Sequence, residues 1–64
     1  MFSAKQKHAE ALRELAQRRR VYSRMVAEGR MKGKDADLRL QVMSEIADDY
    51  REQAEADEAK GRFL

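Results

Sequence analysis

Two glycines in the middle of the chain, Gly29 and Gly33, constrain its fold more than any other feature, because they are the only helix breakers before position 61. The chain has no proline, and its third glycine is Gly61. Most other residues are alanine, leucine, methionine, glutamine, glutamate, lysine or arginine, which favour helices. The sequence therefore predicts two long helices separated by one short turn.

Apolar residues recur at steps of three and four on both sides of this turn, which is the spacing of one face of an amphipathic helix. We predict one helix over about residues 3–28, a turn over residues 29–34 and a second helix over about residues 35–60, in a single domain of residues 1–64. Helices joined by so short a turn pack as antiparallel neighbours. The expected fold is all-α, an antiparallel two-helix hairpin of the coiled-coil type.

The apolar residues of the two helices face each other when the chain is folded about Met31. This register brings Leu12 to Tyr50 and Leu15 to Ala47, so it predicts one continuous apolar seam. The residues predicted to form the core of the hairpin, and of a dimer built from it, are Leu12, Leu15, Tyr22, Met25, Val26, Leu40, Met43, Ile46, Ala47 and Tyr50.

Local signals mark the ends of the helices. Ser3 and Gln6 have the spacing of a capping box, in which each side chain binds the backbone N–H of the other residue. Gly29 fits the left-handed residue that often follows a helix. Gly61 is the expected stop of the second helix, with Phe63–Leu64 as an apolar tip beyond it.

Charge is distributed unevenly between the two halves of the sequence. Residues 1–34 contain ten Lys or Arg and three Glu, whereas residues 35–64 contain four Lys or Arg and nine acidic residues. Opposite charges therefore meet in an antiparallel hairpin, where exposed ion pairs contribute about 0–1 kcal/mol each and select the orientation more than they stabilise it. The predicted pairs join Lys5 and Lys7 to Glu55 and Asp57, and Arg13 to Asp48 and Asp49.

The chain is too short to build a large core. A domain of 64 residues buries only about 60% of the surface that its unfolded chain exposes. Small domains compensate with disulfides, a metal or oligomerisation, and the absence of cysteine removes the disulfides. We therefore predict a homodimer, most simply a two-fold four-helix bundle.

The stretch Arg18–Tyr50 carries a recognisable combination of residues. Its members are Val21-Tyr22, Arg24, Val26, Gly29-Arg30-Met31, Ala36-Asp37, Met43, Ile46 and Asp49-Tyr50. This combination resembles a family of short, largely uncharacterised helical-hairpin proteins encoded in bacteriophages and prophages. The resemblance implies a phage or prophage origin and a hairpin fold, and it carries no activity. Members of the family often have a proline where Ser23 stands, which leaves open a kink in the first helix.

Nothing in the sequence predicts catalysis. The chain lacks a cysteine nucleophile, a glycine-rich phosphate loop and a pair of histidines, and a two-helix hairpin has no concave site that excludes water. No cofactor or metal is expected, because the acidic residues of the second helix lack the Glu-x-x-His spacing of metal sites in bundles. No apolar run is long enough to cross a membrane. Since no signal peptide is recognisable either, the expected location is the cytoplasm of a bacterial host.

A basic cluster near the turn leaves the nature of the partner open. Clustered arginines bind phosphates, but Tyr22 and Tyr50 belong to the predicted core and provide no stacking platform for bases. We therefore expect a phage-type accessory protein that binds another protein, for example to inhibit or redirect a host or defence protein. A nucleic-acid or anionic-nucleotide binder and a purely structural homodimeric bundle are the alternatives. The candidate contacts to an anion or a partner are Arg18, Arg20, Arg24, Arg30, Lys32 and Lys34.

Overall fold

The computed structural model describes residues 1–62 and consists of two α-helices joined by a tight turn. Helix α1 spans Ala4–Ala27 and helix α2 spans Gly33–Arg62. The helices pack side by side as antiparallel neighbours, and the hairpin measures 53 × 16 × 15 Å. Residues 1–62 contain no strand, so the prediction of an all-helical hairpin is confirmed.

Helix α1 begins at the capping box predicted from the sequence. The Ser3 hydroxyl oxygen accepts a hydrogen bond from the Gln6 backbone N–H at 3.1 Å, and the Gln6 side-chain oxygen accepts one from the Ser3 backbone N–H at 2.9 Å. These bonds satisfy two donors that the end of a helix would otherwise leave unpaired. The helix then continues as regular α-helix through Ser23, the position at which a kink was an open expectation.

The turn is built on Gly29. Its φ of +74° lies in the left-handed region, which glycine adopts without steric cost. The Gly29 N–H donates to the Val26 carbonyl at 3.0 Å, and the Arg30 N–H donates to the Met25 carbonyl at 2.8 Å. These are the two hydrogen bonds of a Schellman motif, and the left-handed conformation predicted for Gly29 is confirmed.

Helix α2 is longer at both ends than predicted. It begins at Gly33, where the backbone N–H groups of Asp35 and Ala36 both donate to the Lys32 carbonyl at 3.1 Å. At the other end it continues through Gly61 to Arg62. The predicted stop at Gly61 is therefore wrong, because a single glycine costs a helix about 1 kcal/mol and does not have to end it. The predicted tip Phe63–Leu64 lies outside the described residues.

The core of the hairpin is a narrow seam between the two helices. Leu15 and Ala47 belong to one buried cluster, as the predicted register requires, and Leu40 packs against this cluster. Because four of the six buried residues are alanine, the seam buries little apolar surface. The six are Ala4, Ala11 and Leu15 of α1, and Ala36, Met43 and Ala47 of α2.

Candidate interaction surfaces

The ten residues predicted as core fall into three groups by exposure. Leu15, Met43 and Ala47 are buried, and Tyr22, Met25, Leu40 and Tyr50 are half-buried. Leu12, Val26 and Ile46 are 46%, 37% and 40% exposed. In a single hairpin, this last group offers apolar surface to another molecule.

The seam positions follow one another at alternating steps of four and three, which is the period of a coiled-coil interface. They are positions 4, 8, 11, 15, 18, 22 and 25 on α1 and positions 36, 40, 43, 47, 50 and 54 on α2, and all are buried or half-buried. The seam thus includes Ala4, Ala11 and Ala36, which were absent from the predicted core. Their regular spacing is the signal in the sequence that identifies them.

The seam divides the rest of the surface into two faces. In an antiparallel pair of helices, residues that directly precede seam positions lie on one face, and residues that directly follow them lie on the other. Val21 and Ile46 precede seam positions, whereas Leu12, Val26 and Asp37 follow them. The exposed apolar side chains are therefore shared between two opposite faces of the hairpin.

A row of three aliphatic side chains, which we name the aliphatic stripe, runs from Ile46 on the first face to Leu38 on the outer side of α2. Leu38, Val42 and Ile46 are 61%, 51% and 40% exposed, and their spacing of four places each side chain above the next along α2. Val21 of α1, itself 40% exposed, lies on the same face as Ile46. Single exposed apolar residues are ordinary, whereas a contiguous patch marks a surface that another molecule covers.

The opposite face carries a shallow groove close to the turn. Its volume is about 220 Å³. Most of its lining is small or apolar, and Asp37 contributes a carboxylate. Such a groove suits an apolar side chain that has a positive charge beside it. It is lined by Tyr22, Ser23 and Val26 of α1 and by Gly33, Ala36, Asp37 and Leu40 of α2.

Two of the six predicted basic contacts are engaged within the hairpin itself. Arg18 is half-buried in the seam, where its Nε donates to the Glu14 carboxylate at 2.8 Å, and this hydrogen bond raises the pKa of Arg18. Arg30 pairs with Glu28 at 3.0 Å. The other four are exposed and make no ion pair with any group in residues 1–62, so they are available to an anion. They are Arg20, Arg24, Lys32 and Lys34.

No ion pair joins the two helices within the described part of the chain, so the pairs predicted across the hairpin are wrong. Arg13 pairs instead with Glu10, and Arg51 with Asp48, each at 3.8 Å. A partner one turn away on the same helix is reached with less ordering of two long side chains. Lys7 contacts α2 differently, because its Nζ lies 5.8 Å from the centroid of the Tyr50 ring in a cation–π arrangement.

Known proteins provide no relative from which a function could be transferred. No protein-family model matches the chain, and no characterised protein or solved structure is significantly similar to it. The phage or prophage origin therefore stays an expectation. The surfaces of the hairpin are the basis for a functional argument.

Folding redistributes the charge along the rod. In the register that pairs Leu15 with Ala47, residue 17 lies opposite residue 45. The half nearest the turn, residues 17–45, contains eight Lys or Arg and four acidic residues, a net charge of +4. The open half, residues 1–16 and 46–62, contains six Lys or Arg and eight acidic residues, a net charge of −2. The rod is 53 Å long, several times the Debye length of about 8 Å, so its two ends act as separate charges.

No group of three His, Asp or Glu side chains within residues 1–62 is arranged to hold a metal ion. Neither α1 nor α2, as far as they are described, is long and apolar enough to cross a membrane. The aliphatic stripe, the groove and the basic end at the turn are the surface features from which we argue a function.

Proposed function

We propose that this chain is a small phage- or prophage-type accessory protein that acts by binding another protein, and that it does so as a homodimer with the architecture of a four-helix bundle. The observation that carries the proposal is the apolar surface left exposed after the hairpin has closed. Within the described part of the chain, only six residues are buried in the hairpin. The aliphatic stripe, Leu12, Val21 and Val26 all remain in contact with water.

The dimer is supported by the size of the core. Four of the six buried residues are alanine, so the seam supplies little of the stabilisation that a chain of this length needs. Full burial of a Val, Leu or Ile side chain contributes about 1.5–3 kcal/mol. Covering the aliphatic stripe in both copies adds six such side chains, and oligomerisation is a usual source of stability for small domains.

The protein partner is supported by the opposite face. The groove and Leu12 remain exposed there when the aliphatic stripe is covered, since the two surfaces face away from each other. A groove lined mostly by small or apolar residues, with a charged group at its margin, here Asp37, has the make-up of the centre and rim of protein–protein interfaces. In a phage-type setting the partner is a host enzyme, regulator or defence component, which the bound dimer inhibits or redirects.

Affinity capture from a bacterial lysate with matched variants tests this function. The wild-type protein is expected to retain one host protein in stoichiometric amount, and Val26→Glu is expected to lose it, because the new carboxylate enters the groove. Gln17→Glu is the control, since Gln17 is exposed on α1 and does not line the groove. Both variants should keep the helical content of the wild type by circular dichroism.

Failure to capture a partner would contradict the proposal. If the wild-type protein is dimeric by light scattering but repeatedly retains no stoichiometric partner from the lysate, it is a purely structural bundle. Equal capture by wild type and Val26→Glu would show that the partner does not use the groove.

Binding of nucleic acid or of an anionic nucleotide is a second candidate function, favoured by the four exposed cations without an ion pair. Phosphate contacts of this kind weaken steeply with salt. An electrophoretic shift at low salt should be lost when Arg20 and Arg24 are both changed to alanine. Arg51→Ala is the control, because Arg51 lies in the acidic half and pairs with Asp48. An unchanged shift in the double variant would remove this function.

A further inference from the structure

We infer that the second copy in the proposed dimer docks on the aliphatic stripe end for end, so that the turn of one hairpin lies beside the open half of the other and a two-fold axis passes close to Val42. The inference rests on the proposed dimer and specifies its arrangement. The symmetry of the stripe's spacing and the distribution of charge along the rod each support it.

The aliphatic stripe lies in the half of the rod nearer the turn. Val42 is nine residues from the start of α2 at Gly33 and twenty residues from Arg62. A second copy that is turned end for end about this point places Gly33 of one hairpin beside Arg51 of the other. The two copies therefore overlap from the turn to about residue 51, and the last turns at each open end extend beyond the contact.

The spacing of the stripe is symmetric about Val42. Leu38 and Ile46 lie four residues before and after it, which is about 6 Å along the helix axis in each direction. When the second copy runs in the opposite direction, Val42 meets Val42 and Leu38 meets Ile46 of the second copy. Each apolar side chain then covers another, as an isologous two-fold contact requires. Val21, on the same face, extends this contact to α1.

The distribution of charge selects this direction over the parallel one. The end-for-end dimer places the basic turn of each hairpin beside the start of the more acidic half of the other, near Arg51. A parallel dimer would place the two basic turns side by side. Because charges separated by more than a Debye length of about 8 Å are largely screened, each end interacts mainly with the end next to it.

Disulfide cross-linking tests the arrangement directly, since the chain has no cysteine of its own. The variants are Leu38→Cys, Val42→Cys and Ile46→Cys, studied singly and in mixtures in which one member carries a mass tag. Val42→Cys is expected to cross-link to itself. A mixture of Leu38→Cys and Ile46→Cys is expected to cross-link at least about tenfold faster than either variant alone, because a disulfide needs Cβ atoms about 4 Å apart.

The control is Gln41→Cys, at an exposed position that follows Leu40 and so lies on the opposite face; it should not cross-link. Efficient self-cross-linking of both Leu38→Cys and Ile46→Cys, with no preference for the mixture, would indicate a parallel dimer and overturn the inference. Absence of cross-linking at all three positions in a protein that sediments as a dimer would also overturn it. A wild-type protein that sediments as a monomer at tens of micromolar would instead contradict the proposed dimer itself.

Ionic strength provides a readout that needs no cysteine. The dissociation constant of an end-for-end dimer is expected to rise at least about threefold between roughly 50 and 500 mM salt, because salt screens attraction between opposite charges. A constant or falling dissociation constant would contradict the pairing of opposite ends.

Discussion

Small side chains at the seam decide how closely the two helices approach. Ala47 is 2% exposed, the lowest value among the buried hydrophobic residues, and Ala11 is 7% exposed. Leu12, the next residue along the chain from Ala11, is 46% exposed. The seam therefore holds the smaller of two neighbouring apolar residues, and the larger one lies at its edge.

Replacing Ala47 with leucine is expected to destabilise the hairpin although it adds apolar volume. The cluster of Ala11, Leu15 and Met43 around Ala47 leaves little space, and overpacking a core costs about 1–3 kcal/mol. Thermal unfolding followed by circular dichroism should show a lower Tm. Ala16→Leu, at an exposed position of α1, should change stability by less than about 0.5 kcal/mol. An unchanged Tm for Ala47→Leu would show that the helices are not closely packed at this level.

At the scale of the single element, each helix is bounded by local hydrogen bonds. The capping box of Ser3 and Gln6 starts α1, and the left-handed Gly29 reverses the chain after it. Helix α2 starts on the Lys32 carbonyl and has Asp35 in its first turn, where the helix dipole favours a negative charge. These features define both ends of α1 and the start of α2 before any contact between the helices is considered.

Removal of the cap should loosen the start of α1. Ser3→Ala abolishes the acceptor for the Gln6 N–H and is expected to cost about 1 kcal/mol. Ser23→Ala is the matched control, because Ser23 lies within α1 and alanine is the better helix former there. Hydrogen exchange should be faster at the first-turn amides of Ser3→Ala and unchanged in Ser23→Ala. Equal exchange in the two variants would show that the cap does not hold the helix end.

The two glycines of the turn region should respond in opposite ways to the same substitution. Gly29→Ala forces a side chain into the left-handed region at φ +74°, which costs about 1–2 kcal/mol. Gly33→Ala places its Cβ in open space at the start of α2 and should stabilise the hairpin by about 0.4–1 kcal/mol. Urea unfolding of the two variants measures the difference. A Gly29→Ala variant as stable as Gly33→Ala would contradict the role of Gly29.

At the scale of the whole molecule, the hairpin is a rod with a basic end, a more acidic end and an aliphatic stripe in the half nearer the basic end. The thin seam holds the two helices together, whereas the stripe remains exposed. Folding of the hairpin and association of two hairpins therefore depend on different residues.

Two aspartate substitutions should separate these steps. Leu15→Asp places a charge in the buried seam, where an unpaired charge costs about 3–5 kcal/mol, and we expect it to lose most of its helical content. Ile46→Asp places the charge on the exposed stripe, so it should sediment as a monomer and keep more helical content than Leu15→Asp. Circular dichroism and sedimentation on the same samples measure both properties. A helical Ile46→Asp dimer would show that the stripe is not the interface.

By itself, the sequence determined the features that depend on residues close together in the chain. Helix-forming composition, the Ser3 cap and the glycine turn all follow from contacts within about four residues, so they could be predicted before any packing was known. Among these local predictions, the end at Gly61 failed, because a glycine permits the end of a helix without requiring it.

Only the tertiary structure decided which side chains face each other. An apolar stripe wide enough to include both Ala11 and Leu12 permits more than one rotation of α1, and close packing against α2 selected the alanine. The same rotation left Val26 and Ile46 on the surface, and it left the long charged side chains closer to partners on their own helix. The antiparallel fold also turned a difference in charge between two halves of the sequence into a difference between two ends of a rod. Rotation and register are properties of the whole interface, so neighbours in the sequence could not specify them.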